Sequence, residues 1–154
     1  MELKHISHLK ETHNCKLFGL MPNKEEIFSF DLVNKNGMKV QIINYGATVT
    51  SIQIPLDGKL VDVVLGFDNF EAYLESYNLP SAPYLGTVVG RYAGRINNAA
   101  FTLNGEKIQL TQNHNSHQIH GGLEGFSRKI WKTTSINTDR NPSITLEYTS
   151  LANE

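Results

Sequence analysis

Apolar and polar residues alternate over much of the chain, the period-two pattern of strands that bury one face. Phe28, Phe30 and Leu32 alternate with Ser29 and Asp31, and Asn34-Lys35-Asn36-Gly37 supplies a turn before Met38, Val40 and Ile42 alternate in their turn. That pair predicts a β-hairpin. A second hairpin is signalled by Phe101 and Leu103 before Asn104-Gly105, with Ile108 and Leu110 after it. Asparagine and glycine tolerate the positive φ angles that such tight turns need. Further strands are expected at 47–54, 60–65, 85–89, 129–136 and 143–148, with Pro55 and Asp57-Gly58 as the turn between the first two. One short helix is predicted at 69–77, with Asp68 as its N-cap, Glu71 as the capping-box partner, and Phe70, Tyr73, Leu74 and Tyr77 along one side. Many short strands separated by turns, with no repeat and no linker, predict an all-β fold, either a sandwich or a large antiparallel sheet. The strand ending near Tyr148 runs straight into 149–154 with no closing cap or polar tail, which fits a chain cut within a larger fold, with a natural terminus as the alternative.

Composition narrows the function classes. The 154 residues are 40% hydrophobic and 19% charged, an ordinary balance for one globular domain with a real core. The formal net charge is −1 and no Lys/Arg cluster stands out, which argues against a nucleic-acid partner. Polar residues break every apolar run in Met1-Glu2-Leu3-Lys4-His5-Ile6-Ser7-His8, so neither a signal-peptide core nor a membrane span is expected there. The single cysteine, Cys15, allows no internal disulfide and no multi-cysteine zinc site; it is read as an inert thiol in a protein of the reducing cytoplasm.

Two segments could carry chemistry. Gly90-Arg91-Tyr92-Ala93-Gly94-Arg95-Ile96-Asn97 follows an apolar stretch and sets two arginines four apart among small residues. A guanidinium holds five donors in a fixed fork, which suits hydroxyl-rich or anionic ligands. The competing reading is that one or both arginines pair with a carboxylate and hold the loop. The glycines do not match the dinucleotide fingerprint and no βαβ unit surrounds them. The second segment is Asn113-His114-Asn115-Ser116-His117-Gln118-Ile119-His120-Gly121-Gly122. Three histidines spaced by three do not converge on a strand or loop, and no carboxylate lies between them, so a metal site is not expected. His114 and His117 are read as exposed loop residues. His120 differs because Gly121-Gly122 lets the backbone turn and a ligand approach closely, although a core histidine satisfied by the backbone is the alternative. Downstream, Phe126 or Trp131 could stack on the C–H face of a sugar; such rings are more often core, and Trp131 is assigned there.

At this point the segments resemble a known family, the aldose 1-epimerases. Asn44-Tyr45-Gly46-Ala47-Thr48, Asp62-Val63-Val64-Leu65-Gly66-Phe67, Gly90 to Ile96, and His120-Gly121-Gly122 with Gly125-Phe126 and Trp131 match in order and spacing, from about Phe18-Gly19 to the end of the chain. The resemblance implies a large antiparallel β-sandwich with an open sugar cleft. It implies that Arg95 binds sugar hydroxyls and that His120 contacts the sugar. The residue before Arg95 is commonly a ligand-touching asparagine in the family; here Gly94 stands in that place, and that side-chain contact is lost. His117-Gln118-Ile119 also departs from the family pattern. Family members are longer, which implies that residues 1–154 are the N-terminal part of a single domain of this kind; their catalytic acid (a histidine) and base (a late glutamate) would fall beyond Glu154, so no catalytic residue is assigned in this chain.

The implied reaction interconverts the α and β anomers of a free hexose such as galactose or glucose. The base takes the anomeric hydroxyl proton, the acid protonates the ring oxygen, the ring opens, and closure after rotation gives the other anomer. No cofactor or metal is implied; relatives described as calcium-linked would need an acidic oxygen cluster that this sequence does not display. The alternatives are a non-catalytic carbohydrate-binding module or relic of the same fold, and an epimerase of phosphorylated hexoses, which would want an added basic cluster.

Overall fold

A computed structural model of the protein describes residues 14–152; the expectation about 1–8 and the last two residues lie outside that range. Strands dominate it. Cys15–Leu20 (β1), Glu26–Val33 (β2), Lys39–Ile43 (β3), Thr48–Leu56 (β4) and Lys59–Asp62 (β5) form one antiparallel sheet in chain order. The predicted first hairpin is β2–β3, in register from Ser29 opposite Ile43 to Val33 opposite Lys39. The second is Ala100–Leu103 (β7) with Glu106–Gln109 (β8), closed by Asn104 and Gly105 at φ of 52° and 84°. Lys132–Asn137 (β10) and Ser143–Glu147 (β11) make a further two-stranded sheet.

The core sits where the first sheet meets the helix Phe70–Ser76 (α1). Ile27, Ile43, Tyr45, Phe70 and Tyr73 are buried together, and the Phe70 ring stands edge-on to Tyr45 with centroids 5.1 Å apart. Gly19 in β1 is what admits the helix, since a Cβ there would collide with the Phe70 side chain. The N-cap differs from expectation. Asn69, not Asp68, has extended backbone and accepts the Ala72 N–H at 2.9 Å. The predicted capping box therefore does not form: Glu71 falls one position short of reaching back, and it stays in the first turn where a negative charge suits the helix dipole.

Three expected strands change by more than a residue or two. The stretch at 85–89 is not a strand; it is tied to the first sheet by two separate bonds, Val49 N–H to Gly86 O and Val88 N–H to Gly46 O, each 2.9 Å. The strand expected at 60–65 ends at Asp62 because its carboxylate accepts the backbone N–H of Ile52 and Val64 and the Ser51 hydroxyl, which turns the chain. The strand expected at 129–136 begins only at Lys132, since Ile130 makes an isolated bridge to Tyr45 and Trp131 donates its N–H to Asn44 O. Trp131 is half-buried and belongs to a satellite cluster with Phe126 and Tyr148, not to the core as assigned. Cys15 lies half-buried at the start of β1.

One charge is buried in the sheet. Asp31 is 8% exposed and lies 3.2 Å from Lys39 Nζ, 3.5 Å from Lys16 Nζ and 3.0 Å from Gln41 Nε2. Burial alone would raise its pKa; the hydrogen bonds from Gln41 and Lys39 and the charges of Lys39 and Lys16 outweigh it and hold the carboxyl below its usual range. A depressed folded-state pKa gives stability that is present above the unfolded value, about 3.9 for aspartate, and is lost as pH falls through the folded value. Asp31→Asn is therefore expected to lower the unfolding free energy at pH 7 by roughly 1–3 kcal/mol, read as a lower urea midpoint, and to flatten the decline of that midpoint below about pH 4. Parallel midpoint-versus-pH curves for the two proteins would show that Asp31 has no such role.

Candidate functional site

The two segments singled out in the sequence are joined by a short ladder. Arg95–Ile96 (β6) pairs antiparallel with Gln118–Ile119 (β9), so that Arg95 lies opposite Ile119, the neighbour of His120. Beyond the ladder the two loops exchange a second pair of bonds. His120 N–H donates to Gly94 O at 3.0 Å, and Gly94 N–H donates to His120 Nδ1 at 3.2 Å. Asn113 holds the other side of β9: its Oδ1 accepts the Ile119 N–H at 2.8 Å and its Nδ2 donates to Ile119 O at 2.9 Å, the two bonds of a strand partner made by one side chain.

This geometry sets the tautomer of a neutral His120. Nδ1 accepts, so the single proton of a neutral imidazole must sit on Nε2, which leaves Nε2–H as a donor. Burial, and then the nearby Arg95 guanidinium, lower the pKa of His120 and favour that neutral form. The imidazole is half-buried and Arg95 is exposed, and among the described residues Arg95 holds no ion pair. His120 is thus satisfied by backbone at one nitrogen without being a core residue. What the arrangement can do is offer a hydrogen-bonding fork and a neutral N–H donor to the oxygens of a polyhydroxylated molecule.

Gly94, Arg95 and His120 are brought together; the other residues considered are not. Among the described residues neither arginine pairs with a carboxylate. Arg91 donates through Nε to the Ser150 hydroxyl at 2.8 Å and through Nη2 to the Leu151 carbonyl, so it ties the loop to the C-terminal segment by neutral acceptors. His114 and His117 are half-buried, contrary to the expected exposed loop: they close a tight turn through His117 N–H to His114 O at 3.0 Å, and His117 Nδ1 accepts the Asn98 N–H at 3.1 Å. Among the described residues no group of three or more histidine, cysteine or acidic side chains is disposed to hold a metal. Phe126 packs beneath Gly90, where a Cβ would collide with its ring. A polar cavity of about 360 Å³ lies elsewhere, on the β3–β4 side of the first sheet, lined by Lys39, Gln41, Thr50 and Asp62 among others. Two residues that support His120 escape a sequence reading, Asn113 and Tyr84, whose ring lies 4.8 Å from the imidazole. Asn113 sits in the histidine segment but its role depends on a loop closure no spacing reveals; Tyr84 is distant in sequence from His120.

Comparison with known proteins agrees with this frame. Residues 29–154 match the family model described as aldose 1-epimerase. The chain is 46% identical over 102 residues to the aldose 1-epimerase of Haemophilus influenzae, covering 65% of this chain and 27% of that protein. It is 41% identical over 95 residues to the galactose mutarotase of Bos taurus, covering 61% and 26% respectively. Among solved structures, an aldose epimerase homologue from C. elegans superposes with a TM-score of 0.64 at 30% identity, over 71% of this chain and 33% of that one. A galactose 1-epimerase from Lactobacillus acidophilus gives a TM-score of 0.62 at 29% identity, over 79% and 34%. The fold is thus an all-β sandwich of the galactose mutarotase type. The chain belongs to the aldose 1-epimerase family, a family of isomerases, and spans between about a quarter and a third of the length of the relatives it matches. No helix among the described residues is long and apolar enough to cross a membrane.

Proposed function

We propose that this chain is the N-terminal part of a mutarotase domain and supplies the hexose-gripping part of its cleft, with galactose or glucose as the sugar. The observation that carries the reading is the β6–β9 ladder with its reciprocal Gly94–His120 bonds, which brings the exposed Arg95 and the His120 imidazole onto adjoining loops. Neither group is poised to move the decisive protons. Arg95 is permanently cationic, and His120, kept neutral, spends Nδ1 on the backbone. Their work is to hold ring hydroxyls so that an acid and a base from the remainder of the fold meet the ring oxygen and the anomeric hydroxyl in line, a proximity effect. No metal or cofactor enters this chemistry. Without an asparagine side chain at Gly94, the grip on the sugar is weaker than in relatives that carry one.

The test is a galactose titration of the chain, followed by amide chemical shifts, beside polarimetry of freshly dissolved α-galactose. Binding in the millimolar range, with shifts confined to residues near 94–96 and 119–122, and no acceleration of mutarotation, is the expected result. Acceleration comparable to that of a longer relative would overturn the division of labour proposed here, and absence of any shift would remove the sugar site. Leu60 and Val61 stand 53% and 40% exposed on the edge strand β5, so the titration is best run at low protein concentration, where edge-to-edge association is slow.

A further inference from the structure

The site histidine is connected to the core by an unbroken row of rings. Tyr45, only 4% exposed, lies 6.4 Å from Tyr77; Tyr77 lies 5.4 Å from Tyr84; and Tyr84 lies 4.8 Å from the His120 imidazole, each pair tilted toward an edge-to-face arrangement. The middle ring is fixed on several sides. The Tyr77 hydroxyl donates to Ser127 O at 2.9 Å, Arg128 lies 4.6 Å over the ring, and Arg128 Nη2 donates to Tyr77 O. Tyr84 in turn reaches the far side of the site, where its hydroxyl accepts from Asn113 Nδ2 at 3.5 Å, the same amide that pairs with Ile119.

The backbone adds an independent observation. Tyr84 and His120, whose rings meet edge-to-face, both sit at positive φ, 47° and 53°. A bulky L-residue is strained there, and such strain persists only where the surroundings impose it. Glycine would relieve it at position 84 but would remove the ring. We infer that Tyr84 is a positioning residue for the sugar site: its ring clamps the imidazole edge-to-face so that Nδ1 stays on the Gly94 N–H and Nε2–H remains the donor offered to a hydroxyl oxygen. It touches no ligand itself. The inference rests on the proposed role of His120 for its functional consequence, but not for its structural content.

The experiment separates the two. In the chain labelled with 15N-histidine, His120 is expected to show the resonances of a single Nε2–H tautomer, with imidazole protons displaced by the Tyr84 ring current and cross-relaxing with its ring protons. Tyr84→Leu is expected to move the two nitrogen shifts toward the average of a mobile, tautomer-exchanging imidazole, and Tyr84→Phe, which keeps the ring, to restore the wild-type pattern. Galactose affinity should fall by roughly tenfold in Tyr84→Leu and recover in Tyr84→Phe. A folded Tyr84→Leu chain with unchanged His120 nitrogen shifts overturns the inference. So does the absence of Tyr84–His120 cross-relaxation in the unmodified chain, a measurement that needs no variant to fold. Should galactose bind neither protein while the tautomer shifts as expected, the clamp stands and the sugar reading falls.

Discussion

Replacing Gly121 with alanine is expected to destabilise the chain by roughly 2–5 kcal/mol and to separate the two site loops. Two costs add. Gly121 sits at φ 88°, where an L-residue loses about 1–2 kcal/mol relative to glycine. Its Cβ would also overlap the carbonyl oxygen of Gly90, and backbone cannot swing aside as a side-chain tip can. That carbonyl already accepts the Phe126 N–H at 3.2 Å, and a Cβ on Gly125 would approach it to 2.9 Å, so Gly90, Gly121 and Gly125 form one knot of close backbone contacts. Gly94→Ala is the matched control. Gly94 has nearly the same φ, 89°, but nothing lies within 4 Å of the position its Cβ would take. It should show the conformational cost alone. Urea midpoints measure both, and equal losses in the two variants would show that the Gly90–Gly121 approach contributes nothing.

The difference between those glycines also marks how far sequence reasoning reaches. Strand alternation located both hairpins, because burial of one face of a pleated sheet imprints a period of two on positions such as Phe28, Phe30 and Leu32. Asn104-Gly105 located a turn because local sterics alone select it. The same logic fails where a bond crosses the fold. The helix cap moved by one residue because Asn69 and Asp68 are both competent caps, and the backbone, not the residue type, decides which one is extended. The apolar run at 85–89 reads as a strand but meets the first sheet through isolated bonds between residues distant in the chain, Val49 to Gly86 and Val88 to Gly46. For the site, Arg95 and His120 stood out through glycine-rich surroundings, whereas the ladder that unites them, the Asn113 clamp on Ile119 and the Tyr84 ring are products of loop closure. Arg91 and Arg95 look alike in the sequence, and only their surroundings separate a loop tie from an exposed fork.

Arg95→Ala and His120→Ala are expected to weaken galactose binding by different routes. A guanidinium bond to a neutral hydroxyl contributes about 1.5–3 kcal/mol, so loss of Arg95 should cost roughly tenfold or more in affinity. Because its side chain is exposed and holds no ion pair among the described residues, the unfolding free energy from urea titration should stay within about 0.5 kcal/mol of the parent. Binding loss without stability loss is the signature of a ligand contact. His120→Ala removes a neutral donor, about 0.5–1.5 kcal/mol of binding, and it also strips the Gly94 N–H of its acceptor, so some stability should go with it. The two residues are linked through charge as well. The Arg95 guanidinium is one of the causes that lower the His120 pKa, after burial, so Arg95→Ala should raise that pKa toward the ordinary imidazole value, and the rise is read directly by NMR titration of His120. Its sign matters for binding. A protonated His120 gives up Nδ1 as an acceptor for Gly94, so the loop bond should loosen at a higher pH in Arg95→Ala than in the parent. If Arg95→Ala binds galactose as the parent does, and its His120 titrates at the same pH, the two side chains do not face a common ligand and the grip proposed for them does not exist.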